Sequence, residues 1–150
     1  MSKFGKRHHQ QQYMNQLNKK TKVKWDLFLS EISHVEQMIR NAPVFSSLEN
    51  IYAIPRGGLI MGVILSHKFD IPMIFDASKI THKTLVVDDI SDRGVTLRKI
   101  IGDKNPTIAV LYQKANSSLK SKFFARYVGD DEWIQFPFET VESSKLDNTI

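Results

Sequence analysis

The sequence predicts an α/β fold with a central, mainly parallel sheet flanked by helices, and three observations carry that expectation. Four short runs, Ile51 to Ile54, Met73 to Phe75, Leu85 to Val87 and Ile108 to Tyr112, are apolar throughout instead of alternating, the pattern of strands buried on both faces. Between them, 58–69 and 94–103 have helical length, so strand and helix alternate along the chain. The third run passes directly into two adjacent carboxylates, a short polar loop and a glycine that opens a helix. At 150 residues the chain has the size of one domain, large enough to bury most of its unfolded surface without a covalent staple.

The elements follow in order. Residues 1–21 are polar and basic and read as a solvated arm. A helix opens at Asp26, a good N-cap residue, with Phe28, Ile32, Val35 and Ile39 spaced four, three and four apart on one face. It stops near Asn41-Ala42-Pro43, because a proline biases its predecessor away from helix. Strand 51–54 leads to helix 58–69, strand 73–75, an eight-residue crossing 76–83, strand 85–87, helix 94–103 and strand 108–112. From Phe123 to Phe138 the alternation ends in aromatic-rich short strands around the acidic turn Gly129-Asp130-Asp131-Glu132. This is a small C-terminal hood, about 114–139, so that the folded domain is 22–139 and 140–150 is a polar tail.

Composition excludes several classes of function. With no cysteine, the chain forms no disulfide, thiolate zinc site or cysteine nucleophile. No run approaches the 18 apolar residues of a membrane span, and the first residues lack the apolar core of a signal peptide; a cytoplasmic protein without a membrane is expected. The net charge of +5 is unevenly distributed. Residues 1–25 contain seven Lys and Arg and no acid, whereas the remainder is mildly acidic. The basic arm is thus the one segment suited to nucleic acid, and a solvated leader is the simpler reading of it.

The chemistry concentrates in Thr84 to Thr96, TLVVDDISDRGVT. In an open α/β sheet, ligands sit beyond the carboxyl ends of the strands, where Asp88 and Asp89 emerge. Ser91 to Thr96 can turn backbone N–H groups, a hydroxyl and a helix N-terminus toward one anion, and a phosphate fits that description. Two acids beside a phosphate suit a sugar's hydroxyls and a Mg2+ that bridges the ligand's phosphates. The plainer reading of Asp88-Asp89-Ile90-Ser91-Asp92 is a turn with an N-cap. A DDxxD metal box belongs in mid-helix, and the preceding strand argues against it. Neither G-x-G-x-x-G nor the Walker motif occurs.

This segment closely resembles the phosphoribosyl pyrophosphate (PRPP) signature of the type I phosphoribosyltransferases, and Ile54-Pro55-Arg56-Gly57-Gly58-Leu59 is similar to that family's pyrophosphate loop. The resemblance extends to the 6-oxopurine branch. Lys22-Val23-Lys24-Trp25-Asp26 resembles the start of its first helix, and Lys114 follows a strand where the branch places a lysine on the purine 6-oxo group. Trp133-Ile134, with Phe136-Pro137-Phe138-Glu139, is similar to the segment that covers the purine ring. The resemblance covers about 22–139.

It implies the type I phosphoribosyltransferase fold and an enzyme of purine salvage, a glycosyltransferase moving the 5-phosphoribosyl group from Mg-PRPP to xanthine, guanine or hypoxanthine with release of pyrophosphate. Transferred residue by residue, Asp88 and Asp89 hold the ribose hydroxyls, and Asp92 is the general acid/base facing the purine. Ser91, Arg93, Gly94, Val95 and Thr96 wrap the 5′-phosphate, while Arg56 and Gly57 hold the pyrophosphate. Lys114, Trp133 and Ile134 bind the base, and Asp89 and Glu139 touch Mg2+. A homo-oligomer, dimer or tetramer, is also implied. The alternatives are a PRPP-binding regulator that grips nucleic acid through its arm, and a transferase acting on another base. Two features depart from the family's pattern. The crossing 76–83 replaces a much longer mobile loop that excludes water, a task that falls to the basic arm or a neighbouring subunit if it is performed. Arg93 stands where many relatives have a small hydroxyl residue, and either adds a bidentate phosphate contact or points to solvent.

Overall fold

The continuous apolar runs become strands of one parallel sheet. The computed structural model describes residues 20–140; most of the arm, 1–19, and nearly all of the tail, 141–150, lie outside the described residues. The elements are β1 (Lys20–Lys22), α1 (Trp25–Arg40), β2 (Asn50–Ala53), α2 (Leu59–Phe69), β3 (Met73–Ile74), β4 (Thr84–Ser91), α3 (Val95–Ile101), β5 (Thr107–Lys114), β6 (Arg126–Val128) and β7 (Trp133–Gln135). Short 3-10 turns occupy Pro43–Ser47 and Ala77–Lys79. None of the described helices is long and apolar enough to cross a membrane.

The chain divides into two units, one comprising Leu29–Val128, the other the residues up to Phe28 together with those from Gly129 onward. In the larger unit the strand order is β3-β2-β4-β5-β6, with every pair parallel. Side chains alternate across this sheet. Tyr52, Ile54, Val86, Ile108 and Val110 form one buried cluster with Leu97 of α3, while Ile51, Leu85 and Leu111, one position out of step, are buried too. Both faces are therefore covered, as the absence of alternation in the sequence predicted. The helix period is equally direct, since Phe28, Ile32, Val35 and Ile39 are all buried. Leu85 is fully buried in the strand at the middle of the sheet. Leu85→Ala should lower stability by about 2–5 kcal/mol, read as a lower urea midpoint with an unchanged slope.

The smaller unit pairs β1 with β7 in parallel, Lys20 opposite Trp133 and Lys22 opposite Gln135. The Val23 amide extends the ladder to the Gln135 carbonyl at 2.9 Å. Phe28, Phe136 and Phe138 pack with ring centroids 5.6–6.1 Å apart. Three local details differ from expectation. Helix α1 starts at Trp25, and Asp26 lies inside it with Oδ1 accepting from the Leu27 amide. Lys20 and Thr21, read as the end of the arm, belong to a strand. Arg126–Val128, read as hood, forms the fifth strand of the central sheet.

Candidate active site

Strand order locates the crevice before any side chain is considered. From β2 the chain crosses through α2 to β3 on one edge, whereas β4 lies on the opposite side of β2 and leads through α3 to β5. The turns leaving β2 and β4 thus diverge, and the carboxyl ends of these two strands form a topological switch point, the usual ligand site of open α/β sheets. Residues 54–58 follow β2 and residues 92–94 follow β4.

The first of these turns lies on the end of β4. The Gly58 amide donates to the Ile54 carbonyl at 2.9 Å, folding the first turn back on its strand, and the Pro55–Arg56 peptide is cis. A methyl group on Gly57 would fall 2.2 Å from Asp89 Oδ2, and one on Gly58 would fall 2.5 Å from the Val87 carbonyl oxygen. Two bare backbone positions thus let the turn lie directly on the end of β4, with the Asp89 carboxylate against Gly57. Asp89 is 9% exposed, and its Oδ1 accepts from the Ile90 amide at 2.8 Å; Asp88 Oδ1 accepts from the Asp89 amide at 2.9 Å. Strand β4 runs on through the acid pair to Ser91, so both carboxylates stand where β4 has passed the end of β2 at Val87 but is still paired with β5.

After Ser91 the chain turns through Asp92 and Arg93 to Gly94, which has φ 82° and precedes α3. Asp92 is an exposed carboxylate whose Oδ1 lies 3.2 Å from Lys114 Nζ, and the lysine side chain is only 12% exposed. One ion pair therefore joins the residue read as acid/base to the residue read as contacting the 6-oxo group. Arg93, Val95 and Thr96 are exposed, and Gly94 is buried. Ser91 departs from its expected place. It is 1% exposed, and its hydroxyl pairs with Ser117 Oγ at 2.8 Å and faces the Leu119 carbonyl, so its hydroxyl is committed within the protein.

The residues read as the purine cover belong to the smaller unit. There Trp133 is 43% exposed, Ile134 is buried, and Glu139 Oε1 accepts from the Phe136 amide at 3.3 Å. Among the described residues, no group of three His, Asp or Glu side chains converges as a ready-made metal cage.

The short crossing from β3 to β4 is fixed along its length. Asp76 Oδ1 accepts from the Ser78 amide and hydroxyl at 2.9 and 2.7 Å, and these bonds hold its carboxyl below the usual range. Lys104 Nζ donates to the Ala77 carbonyl at 2.8 Å, Ile80 is buried in the cluster around Val86, and Lys83 pairs with Glu49 at 3.2 Å. Ile80 and the half-buried Ala77 thus tie the crossing to the core, while Asp76, Ser78, Lys79, Thr81 and His82 are exposed.

Sequence reasoning missed the segment that backs the turn after β4. Ser117, Ser118 and Leu119 touch Ser91, Arg93 and Gly94, and the buried Gln113 ties that segment to the end of β5. A polar run after a strand carries no sign of a partner 25 residues earlier.

No protein-family model matches the chain. Among curated proteins it is similar to the xanthine-guanine phosphoribosyltransferase of Gluconobacter oxydans, 30% identical over 115 residues that span 60% of this chain and 68% of the relative. Sixty per cent of 150 residues is 90, so roughly 25 of the 115 aligned positions have no counterpart in this chain. Among solved structures it is similar to a purine phosphoribosyltransferase from Pyrococcus horikoshii, with TM-score 0.64 and 28% identity over 81% of this chain and 95% of that one. It also shares its fold with the xanthine-guanine-hypoxanthine phosphoribosyltransferase of Helicobacter pylori, with TM-score 0.65 and 22% identity over 86% and 99% of the two chains.

Proposed function

The chain belongs to the type I phosphoribosyltransferases, on the 6-oxopurine side of the family, and from that premise we propose that it transfers the 5-phosphoribosyl group of Mg-PRPP to a 6-oxopurine in purine salvage. That it is a purine phosphoribosyltransferase follows from its relatives; the substrates and residue roles are this proposal. The observation that carries it is the Gly57–Asp89 approach, which sets the turn read as the pyrophosphate site against the acid pair read as the ribose site.

In the proposed reaction a purine nitrogen bonds to C1 of the ribose, and the C1–O bond to pyrophosphate breaks with its electrons leaving on the pyrophosphate. The proton released by the purine ring passes to Asp92. Lys114, within ion-pair distance of Asp92, is placed to donate to the purine 6-oxo oxygen while Asp92 faces the ring nitrogen. Arg56 and the Gly57 backbone hold the departing pyrophosphate, whose growing charge a fixed cation stabilises. Asp88 and Asp89 hold the ribose hydroxyls, and the backbone from Arg93 to Thr96 holds the 5′-phosphate. Trp133 and Ile134 are assigned to the base from the family resemblance. The donor set suits Mg2+, which combines one or two carboxylates with substrate phosphates and water, and Asp89 is the carboxylate assigned to it because it lies against Gly57 of the turn read as the pyrophosphate site. When bound, the ion would neutralise charge on the leaving group.

The test is product formation by chromatography from Mg-PRPP with xanthine, guanine, hypoxanthine, adenine, uracil and orotate in parallel, with a control lacking base. Nucleotide from the oxopurines alone is expected. Product from adenine or a pyrimidine would overturn the substrate assignment, and PRPP binding without product from any base would overturn the catalytic one.

A further inference from the structure

We propose that Ser118, backed by Ser117 and Leu119, is a positioning residue that aims the Gly94 amide at the 5′-phosphate. The inference rests on the reading of the turn after β4 as the 5′-phosphate loop, and it gives that loop a device outside its own sequence.

The Arg93–Gly94 peptide is trans. Its carbonyl accepts two hydrogen bonds from one residue, the Ser118 amide at 3.2 Å and the Ser118 hydroxyl at 2.8 Å. In a planar trans peptide the C=O and N–H point in opposite directions, so fixing the Arg93 carbonyl on Ser118 turns the Gly94 N–H to the opposite side. Such fixing matters at this position. Gly94 has φ 82°, a conformation glycine adopts readily, and a glycine peptide plane is otherwise easily rotated. The Gly94 carbonyl is committed on its own side, accepting from the Arg98 amide at 3.0 Å.

The backing is itself held. A methyl group on Gly94 would fall 2.9 Å from the Leu119 amide nitrogen and 3.0 Å from Ser118 Oγ, so the two segments are in direct contact. Arg98 Nη2 donates to the Ser118 carbonyl at 2.6 Å, and Ser117 Oγ pairs with Ser91 Oγ at 2.8 Å. The fully buried Gln113 closes the arrangement: its Nε2 donates to the carbonyls of Lys114 and Leu119 at 3.0 and 3.2 Å, and its Oε1 accepts from the Ser121 amide at 3.0 Å. One buried amide thus anchors both the backing of the phosphate loop and the peptide of Lys114. This also accounts for the inward Ser91, whose hydroxyl serves the backing.

The test compares the parent enzyme with Ser118→Ala and Ser118→Thr, measuring steady-state constants and the affinity for ribose 5-phosphate by calorimetry. Ser118 is exposed, so alanine is expected to leave the melting temperature nearly unchanged. Loss of one neutral hydrogen bond predicts a roughly fivefold rise in the KM for PRPP and in the Kd for ribose 5-phosphate, with kcat and the KM for the base within about twofold. Threonine, which keeps the hydroxyl, should restore both. Equal affinity in parent and alanine variant, or a proportional rise in the KM of both substrates, would overturn the positioning role alone. A parent protein that binds no ribose 5-phosphate would overturn the phosphate-loop reading and the inference with it.

Discussion

Asp92→Asn should reduce kcat by at least about a hundredfold while leaving the KM for PRPP nearly unchanged, because a general acid/base contributes roughly 10²–10⁴ to rate and PRPP is held by other residues. Asparagine keeps an oxygen at the same reach, so it can still accept a hydrogen bond from Lys114, 3.2 Å away in the parent. It cannot take a proton from the purine ring. The substitution therefore separates proton transfer from positioning. Stability should hardly change: Asp92 is 60% exposed on its side chain, and ion pairs at such sites contribute about 0–1 kcal/mol. A variant with undiminished kcat would remove Asp92 from the reaction.

That the turn holding Asp92 could be read at all reflects how local its signals are, whereas the role of Asp92 came from the family resemblance. The run Leu85 to Val87, the acid pair and the glycine are contiguous, so strand, ligand-facing turn and helix start could be read within one stretch of chain. Phe28, Ile32, Val35 and Ile39 were legible for the same reason, since a period of 3.6 is a property of the sequence itself. The unread parts depend on partners far along the chain. Arg126–Val128 has only three residues and an exposed Arg and Tyr, so nothing in its pattern distinguishes a sheet edge from a hood. Ser91 was read as facing a ligand because a hydroxyl beside a glycine turn suits a phosphate. Its actual partner, Ser117, is 26 residues away and carries no periodic signature. The same holds for Lys114: its place at the end of a strand was readable to within a residue or two, its ion pair with Asp92 was not.

The contact between Gly57 and Asp89 supports the second large expectation, that Gly57→Ala should lower kcat/KM for PRPP by about a hundredfold or more without unfolding the protein. A new methyl 2.2 Å from Oδ2 and 2.5 Å from Cγ cannot be accommodated where Asp89 stands. The turn has no room to yield toward the strand, because Gly58 already lies on the Val87 carbonyl. The aspartate must therefore rotate, giving up the bond from the Ile90 amide, or the turn must lift away from β4. Either movement is on the scale of 1 Å, and either separates the pyrophosphate turn from the ribose carboxylates that the proposed reaction uses together. Gly102→Ala provides the contrasting case. Gly102 has φ 53° but open space around its Cβ position, so alanine there should destabilise the fold by about 1–3 kcal/mol through backbone strain while leaving the KM for PRPP unchanged. Urea unfolding and PRPP kinetics on both variants would thus move in opposite patterns. If Gly57→Ala retained full activity toward PRPP, the approach of this turn to β4 would be a matter of packing, and the acid pair and the pyrophosphate turn would not act as one site.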